Sequence, residues 1–242
     1  MVTKPLRMLR AASRRRRKYR GLGDLKGGDY GHHSQNDRWA VELVFPDLRG
    51  GYFVEAGACG GHLGSASYVL ERGFGWDGIC VEPLDEYYGV LQRLRRCRTD
   101  SRCLAATTGD TVEFLSFADF PPRSGIRAFN KNETWAEEIE PGSETVMKET
   151  VSLSDLLEQH RAPATVHYLC LDVEGAEAEI LQTFDFGGDR RILAISVEGD
   201  RCDALLRASG YLQVTNPFQS VPIDHYFVHE SLGHLAHLVV DS

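Results

Sequence analysis

Hydrophobic runs and helix-like patterns alternate along most of the chain. Short apolar runs bounded by glycine, proline or acidic residues predict strands, and apolar residues at helical spacing predict the helices between them. Such alternation requires crossover connections, so it predicts a parallel sheet covered by helices on both faces. The predicted strands are 52–56, 78–82, 102–106, 111–117, 166–171, 191–197, 211–215 and 223–229, and the predicted helices are 64–72, 84–95, 152–160, 176–184 and 201–209.

The two ends of this region carry further structural signals. The link 215–221 is too short for a crossover helix, which predicts that the last two strands run antiparallel. Apolar residues at helix-like spacing predict a lead-in helix over 34–45. The predicted fold class is therefore α/β, with a doubly wound, mostly parallel, Rossmann-like sheet and an antiparallel last strand.

Two segments interrupt the alternation. The first 20 residues hold nine Lys or Arg and no acid, and 1–33 is predicted to be a basic, flexible arm ahead of a single domain over 34–242. The segment 120–148 is rich in proline, glycine and polar residues. It is predicted to be a lid-like insertion over the place where the substrate binds.

Composition narrows the function classes. Beyond the first 20 residues, 18 basic residues face 35 acidic ones, which argues against nucleic-acid binding by the domain. No apolar run reaches the length of a membrane helix, and the six cysteines form no CxxC pair. We therefore expect a cytoplasmic protein without a transmembrane segment, and a homo-oligomer is left open.

A glycine-rich turn follows the first predicted strand and is typical of nucleotide-type cofactor sites, because it lets the backbone approach a ligand. Cys59 stands where many dinucleotide sites have a second glycine, and its side chain would crowd a pyrophosphate. Glu55 would repel a pyrophosphate but attract an ammonium or sulfonium centre. The alternative is that Glu55 only caps neighbouring backbone N–H groups. The turn therefore favours a cofactor without phosphates.

Acidic residues end two further predicted strands. Glu82 lies 25 residues beyond Gly57, close to the spacing at which an acid binds a cofactor's ribose hydroxyls. Asp172 and Glu174 follow the strand 166–171, at the edge of the sheet where ligands bind. These two acids also stand where a helix begins, and favourable helix capping is the alternative role.

Four segments together resemble the FkbM-type methyltransferases. They are SQND at 34–37, FVEAGA at 53–58, GWDGICVEP at 75–83 and LDVEGAE at 171–177. The resemblance implies a class I methyltransferase fold with a seven-stranded sheet. It also implies S-adenosylmethionine as cofactor, and transfer of its methyl group to a hydroxyl of a sugar or polyketide-like natural product, as in natural-product biosynthesis.

The expected site residues follow from the turn, the strand ends and the resemblance. The acceptor hydroxyl must lose a proton, and Asp172 or Glu174 is the first choice of base, with His62 and Glu198 as second choices. The residues expected to bind the cofactor are Glu55, Gly57, Ala58, Cys59, Gly61, Glu82, Pro83 and Asp172.

Three alternatives stay open. Asp172, Glu174 and Glu198 could together bind a divalent metal, although metal-free acids are the simpler expectation. A non-catalytic ligand-binding module of the same fold and an NAD-dependent oxidoreductase are the rival functions. Four histidines near the chain end do not have the HExxH spacing of zinc proteases and are interpreted as strand and tail residues.

Overall fold

Two sheets organise the part of the chain that the computed structural model describes, residues 30–118, 120–130, 143–220 and 222–240. The strands of this part are β1 (Tyr52–Ala56), β2 (Asp77–Val81), β3 (Arg98–Asp100), β4 (Cys103–Ala105), β5 (Thr111–Phe117), β6 (Gly125–Ile126), β7 (Ser143–Ser152), β8 (Thr165–Leu171), β9 (Arg191–Glu198), β10 (Tyr211–Val214) and β11 (Asp224–His229). Its α-helices are α1 (Asn36–Arg38), α2 (Tyr68–Phe74), α3 (Asp85–Leu94), α4 (Leu153–Gln159), α5 (Glu177–Gln182) and α6 (Asp203–Ala208).

The central sheet of the described residues has seven strands, in the order β10-β11-β9-β8-β1-β2-β3. Parallel pairs join β8 to β9, β1 to β8, β1 to β2 and β2 to β3. Antiparallel pairs join β11 to β9 and to β10, so β11 runs opposite to the other strands of this sheet. The predicted fold class, a doubly wound and mostly parallel sheet with an antiparallel last strand, is confirmed.

Strand order reverses between β1 and β8, and this is the position at which open α/β sheets bind ligands. Hydrogen bonds join the first residues beyond these strands. The Asp172 N–H donates to the Ala56 carbonyl at 3.2 Å, and the Gly57 N–H donates to the Val81 carbonyl at 3.1 Å. The carboxyl ends of β1, β2 and β8 are therefore held together at one edge of the sheet.

Both faces of the central sheet are buried. Alternate side chains of a strand point to opposite faces: Val54 and Leu169 join one apolar cluster, whereas Phe53 and Tyr168 join the other. All four side chains are almost fully buried. None of the helices in the described ranges has the length and apolar character needed to cross a membrane.

The edge strand beside β2 differs from the prediction. The apolar run around Leu104 predicted a strand of this sheet at 102–106, but the polar Arg98–Asp100 occupies the edge, and β4 pairs with β7 in the second sheet. Asp100 accepts a hydrogen bond from Arg102 at 2.7 Å and lies 2.9 Å from the His160 ring. Polar pairing therefore supports this edge, and hydrophobic periodicity does not reveal it.

The segment 120–148 is more regular than predicted. β6 and the first residues of β7 lie within it, and both strands pair antiparallel with β5. The second sheet has the order β4-β7-β5-β6. Residues 131–142 of the predicted lid, and residues 1–29 of the predicted arm, lie outside the described residues.

The lead-in helix is short and changes type, because α1 continues as a π-helix over Trp39–Val44. Asn36 attaches it to the sheet: its amide donates to the Asp224 carboxylate at 2.5 Å and accepts from the Tyr226 hydroxyl at 2.6 Å. The Trp39 ring packs 4.9 Å from the Tyr226 ring, measured between centroids. The start of the domain is thereby fixed against β11.

A buried ion network connects the end of α3 to the first strand. Arg95 Nε lies 2.7 Å from a Glu71 carboxylate oxygen, and Arg95 Nη1 lies 3.6 Å from a Glu55 carboxylate oxygen. All three side chains are almost inaccessible to solvent. Burial opposes the charge of Glu71, but the Arg95 guanidinium outweighs it and lowers the pKa of that carboxyl.

Replacing Arg95 with Met should lower the free energy of unfolding by about 3–5 kcal/mol, because two buried carboxylates lose their counter-charge. Arg98→Met is the matched control: its ion pair with Asp77 is exposed, so the loss should stay below about 1 kcal/mol. Urea unfolding at neutral pH gives both values. Equal losses for the two variants would contradict the role of the network.

Candidate functional site

A cavity of about 500 Å³ opens at the carboxyl ends of the central strands. This volume lies in the usual range for a small-molecule or cofactor site. Five predicted cofactor residues line it: Gly57, Cys59, Glu82, Pro83 and Asp172. Two further predicted acids, Glu174 and Glu198, line it as well. The structure therefore brings most of the predicted site residues into one space.

Gly57 is required by the close approach of β1 and β8. Its φ is +85°, and a Cβ at this position would overlap the carbonyl oxygen of Asp172. Two residues later Cys59 also has a positive φ, +48°, which is uncommon for a residue with a side chain. The turn therefore exposes backbone to the cavity.

Glu82 presents a buried carboxylate at the cavity wall. One of its oxygens accepts the Cys59 N–H at 2.7 Å, and the other accepts the Leu84 N–H at 2.8 Å. Burial raises the pKa of Glu82 to about 7, although both hydrogen bonds act in the opposite direction. The carboxylate orientation is thus set by backbone groups, and its charge changes near neutral pH.

Three acids converge where β8 and β9 end. Carboxylate oxygens of Asp172, Glu174 and Glu198 lie within 4.8 Å of one another. Burial raises the pKa of Asp172 well above its usual value, and the neighbouring Glu198 carboxylate raises it further. Such a carboxyl binds a proton more strongly than a free aspartate does, which suits a base.

Glu55 does not line the cavity. Its carboxylate accepts hydrogen bonds from the Ser65 hydroxyl at 2.8 Å and the Ala66 N–H at 2.6 Å, and a further one from the Ser67 hydroxyl. Arg95 supplies its counter-charge. This is the capping role that the sequence analysis left as the alternative. Glu55 holds the chain after the turn through these hydrogen bonds and does not contact the cavity.

Three other predicted residues also serve the packing around the turn rather than the cavity wall. A Cβ at Gly61 would lie 2.5 Å from Leu91, so the glycine gives α3 room to pack. Ala58 is fully buried in an apolar cluster. His62 is 5% exposed and packs edge-on against Tyr68, with the ring centroids 4.3 Å apart. The second-choice base at His62 therefore does not line the cavity.

His33 lines the cavity and was not predicted as a site residue. Its ring stacks on the buried His32 ring, with centroids 4.4 Å apart, and ring nitrogens of both lie within 4.8 Å of an Asp172 carboxylate oxygen. Asp37 holds this segment, because its carboxylate accepts the Gly31 N–H at 2.7 Å. The sequence signal that could have indicated His33 is the adjacent SQND segment, because Asp37 accepts the backbone N–H groups of Gly31 and His32.

The remaining cavity wall is mainly apolar and comes from both sheets. Leu104, Phe114 and Ile126 of the second sheet line it, together with Val81 and Leu84. At the mouth stand three exposed apolar side chains, Leu63, Phe120 and Ile223. The first residues of the predicted lid therefore do border the cavity.

The four histidines near the chain end take no part in this site. His225 pairs with Asp203 at 2.8 Å, and His229 contacts the Ser231 hydroxyl at 2.8 Å. Neither they nor His234 and His237 belong to a group of metal-ligand atoms in the part of the chain that the structure describes.

Three comparisons with known proteins bear on this site. The sequence profile described as Methyltransferase FkbM domain matches residues 55–206. No curated protein matches the sequence. Similar solved structures include the delta-N METTL16 MTase domain, at 12% identity over 79% of this chain and 78% of that one, with a TM-score of 0.35.

Two further solved structures are similar at the same level. One is the methyltransferase FkbM from Methylobacillus flagellatus KT, at 13% identity over 91% of this chain and 60% of that one, with a TM-score of 0.42. The other is the human methyltransferase 10 domain containing protein, at 12% identity over 94% and 97% of the two chains, with a TM-score of 0.38.

Replacing Gly57 with Ala should destabilise the protein more than the same change at Gly109. Both glycines have a φ near +85°, but a Cβ at Gly109 meets no atom within 4 Å. The control should lose about 1–2 kcal/mol from backbone strain. Gly57→Ala should lose about 1–3 kcal/mol more, because β1 and β8 must move apart. Urea unfolding measures both, and equal losses would show that the close approach is not a constraint.

Proposed function

The chain belongs to the FkbM methyltransferase domain family, and we propose that it transfers the methyl group of S-adenosylmethionine to a hydroxyl of a small-molecule acceptor. The observation that supports this most directly is the joint position of Gly57, Glu82 and Asp172 around one cavity. Each was expected at such a site from its place at a strand end.

The described residues fit the proposed cofactor. Glu82 would accept hydrogen bonds from the ribose hydroxyls, since a carboxylate oxygen has room for more than one donor. The turn at Gly57 would let the methionine part approach the backbone. The apolar wall at Leu84 and Leu104 suits the adenine ring. The positive sulfonium and ammonium groups would lie toward the acids at the end of β8.

S-Adenosylmethionine supplies an electrophilic methyl group when it is bound. The chain's own contribution is to position the acceptor oxygen behind that methyl group, and orientation of two reactants can lower a barrier by about 7–11 kcal/mol. Asp172 or Glu174 would take the hydroxyl proton. A positioned base adds about 10²–10⁴-fold to the rate, and the raised pKa of Asp172 favours proton acceptance.

We propose a sugar or a natural product of the polyketide or glycoside kind as the acceptor. The cavity mouth has apolar side chains at Leu63, Phe120 and Ile223, and carboxylates lie behind them. An apolar skeleton with a hydroxyl group matches that arrangement. A nucleic-acid backbone would instead bring phosphates toward acids, which is electrostatically unfavourable.

Two rival functions meet physical objections. An NAD-dependent oxidoreductase would have to hold a pyrophosphate beside Glu82, Asp172, Glu174 and Glu198, all at the same cavity. A non-catalytic module has no need of three carboxylates that converge at one cavity.

Calorimetry with S-adenosylmethionine, followed by transfer of its labelled methyl group into sugar and polyketide libraries, tests the proposal. We expect binding by the wild type and labelled product from at least one library. Binding of NADH with no binding of S-adenosylmethionine would select the oxidoreductase, and binding without any product would support the non-catalytic module.

With an acceptor identified, Asp172→Asn and Glu174→Gln distinguish the two first-choice bases. The variant that removes the base should lose about 10²–10⁴-fold in kcat, measured at saturating S-adenosylmethionine so that any change in cofactor affinity is separated from the loss in kcat. Glu113→Gln, which removes an exposed acid on β5, is the control and should keep full activity. Wild-type turnover by both site variants would exclude both residues as the base.

Affinity for S-adenosylmethionine should rise with pH between 5.5 and 7.5. Glu82 has a pKa raised to about 7, so it is largely protonated at the lower end, and only its charged form accepts hydrogen bonds from both ribose hydroxyls. Hydrogen bonds to a charged group are worth about 1.5–3 kcal/mol, so we expect about a tenfold gain or more. Glu82→Gln should bind weakly with no pH dependence, and a flat wild-type profile would contradict the ribose role.

A further inference from the structure

Two groups of potential metal ligands share one residue at the end of β8. Asp172, Glu174 and Glu198 form the first group, and Asp172, His32 and His33 form the second, each with its ligand atoms within 4.8 Å of one another. Both groups adjoin the same cavity, through Asp172 and His33. The two groups together contain five potential ligand residues, and Asp172 is the one they share.

The backbone fixes two of these carboxylates in place. Glu174 has a φ of +62° and is followed by Gly175 at +122°, so the chain turns sharply after Asp172. β6 closes over this turn, since a Cβ at Gly125 would lie 3.0 Å from the Cβ of Glu174. The short separation of Asp172 and Glu174 is thus a property of the fold.

The Asp172 carboxylate itself has no hydrogen bond or ion pair with any residue in the described part of the chain; only its backbone N–H is bonded, to Ala56. Nearby Arg201 is engaged elsewhere, with the Gly175 carbonyl at 2.9 Å and Glu179 at 3.4 Å. A carboxylate directed into a cavity without a partner calls for a ligand that is either a proton donor or a cation.

The histidines narrow the class of cation. The Ser34 N–H donates to Nδ1 of His32 at 3.2 Å, so this neutral ring carries its proton on Nε2 and has no lone pair left for a metal. With His32 excluded, the donors are carboxylate oxygens and at most one imidazole. Such a set suits Mg²⁺ or Mn²⁺ better than Zn²⁺.

We propose that Asp172, Glu174 and Glu198 bind one divalent cation of the Mg²⁺ or Mn²⁺ class, with His33 beside it. Oxygen ligands of one Mg²⁺ lie roughly 3–4.2 Å apart, and the carboxylate oxygens of these three residues lie within 4.8 Å of one another. Cation binding does not depend on the proposed function. Only its consequence rests on it: a cation here would hold the acceptor oxygen and favour loss of its proton.

Titration of Mn²⁺ into the full chain, after treatment with EDTA and dialysis, tests the site. Electron paramagnetic resonance of the free aqueous ion gives the bound fraction. We expect one site per chain, with Mg²⁺ competing for it. Asp172→Asn and Glu198→Gln should each weaken Mn²⁺ binding by more than about 100-fold, because loss of a residue that only supports a metal ligand already costs about 10–100-fold. Glu113→Gln should leave Mn²⁺ binding unchanged.

Circular dichroism and calorimetry with S-adenosylmethionine separate the possible failures. Absence of Mn²⁺ binding by a folded wild type that binds S-adenosylmethionine would overturn the cation site and leave the proposed function intact. Mn²⁺ binding that is unaffected in both site variants would overturn it as well. Mn²⁺ binding abolished by S-adenosylmethionine would also overturn it, because the cation and the cofactor would then compete for the same carboxylates.

Discussion

The close approach of two parallel strands is the constraint on which the site depends. β1 and β8 are neighbours at the point where strand order reverses. Just beyond these strands, the carbonyl oxygen of Asp172 occupies the space that a side chain at position 57 would need. Because Gly57 leaves that space, Asp172 lies directly beside the turn that carries Cys59. If the strands were farther apart, the turn and the acids would no longer border one cavity.

Three acidic residues at neighbouring strand ends illustrate how surroundings decide a role. Glu55 has an arginine and several donors around it, so its carboxylate is satisfied within the protein. Glu82 is held by two backbone N–H groups and faces the cavity with a pKa near neutrality. Asp172 has only other acids as its principal electrostatic neighbours. The first acid supports the turn, and the other two remain available to ligands.

Sequence periodicity predicted six of the seven strands of the central sheet, because those strands are mainly apolar and are bounded by turn residues. It also located Glu82 and Asp172, since strand ends follow from strand positions. The orientation of Glu55 could have been inferred, because alternation puts it on the same face as Phe53 and away from the crevice. β3 could not be inferred, since Arg98, Thr99 and Asp100 have no apolar pattern and depend on pairing with distant side chains.

His33 was beyond the reach of local pattern for a similar reason. It follows a glycine-rich polar stretch, and its position depends on Asp37 and on the bond between Asn36 and Asp224, which are 188 residues apart. The second sheet was missed because β7 is mostly polar on its exposed side and was interpreted as part of an irregular insertion. Long-range pairing of this kind leaves little trace in a single sequence.

The division of the cavity wall between two sheets has an evolutionary consequence. Glu82 and Asp172 belong to strand ends of the central sheet, whereas Phe114 and Ile126 belong to the smaller one. Substitutions of Phe114 or Ile126 can therefore reshape one side of the cavity while Glu82 and Asp172 keep their places at the strand ends of the other sheet. In evolutionary terms, a change of side chains in one layer alters the space that a bound molecule fills, while the acidic groups of the other layer stay the same.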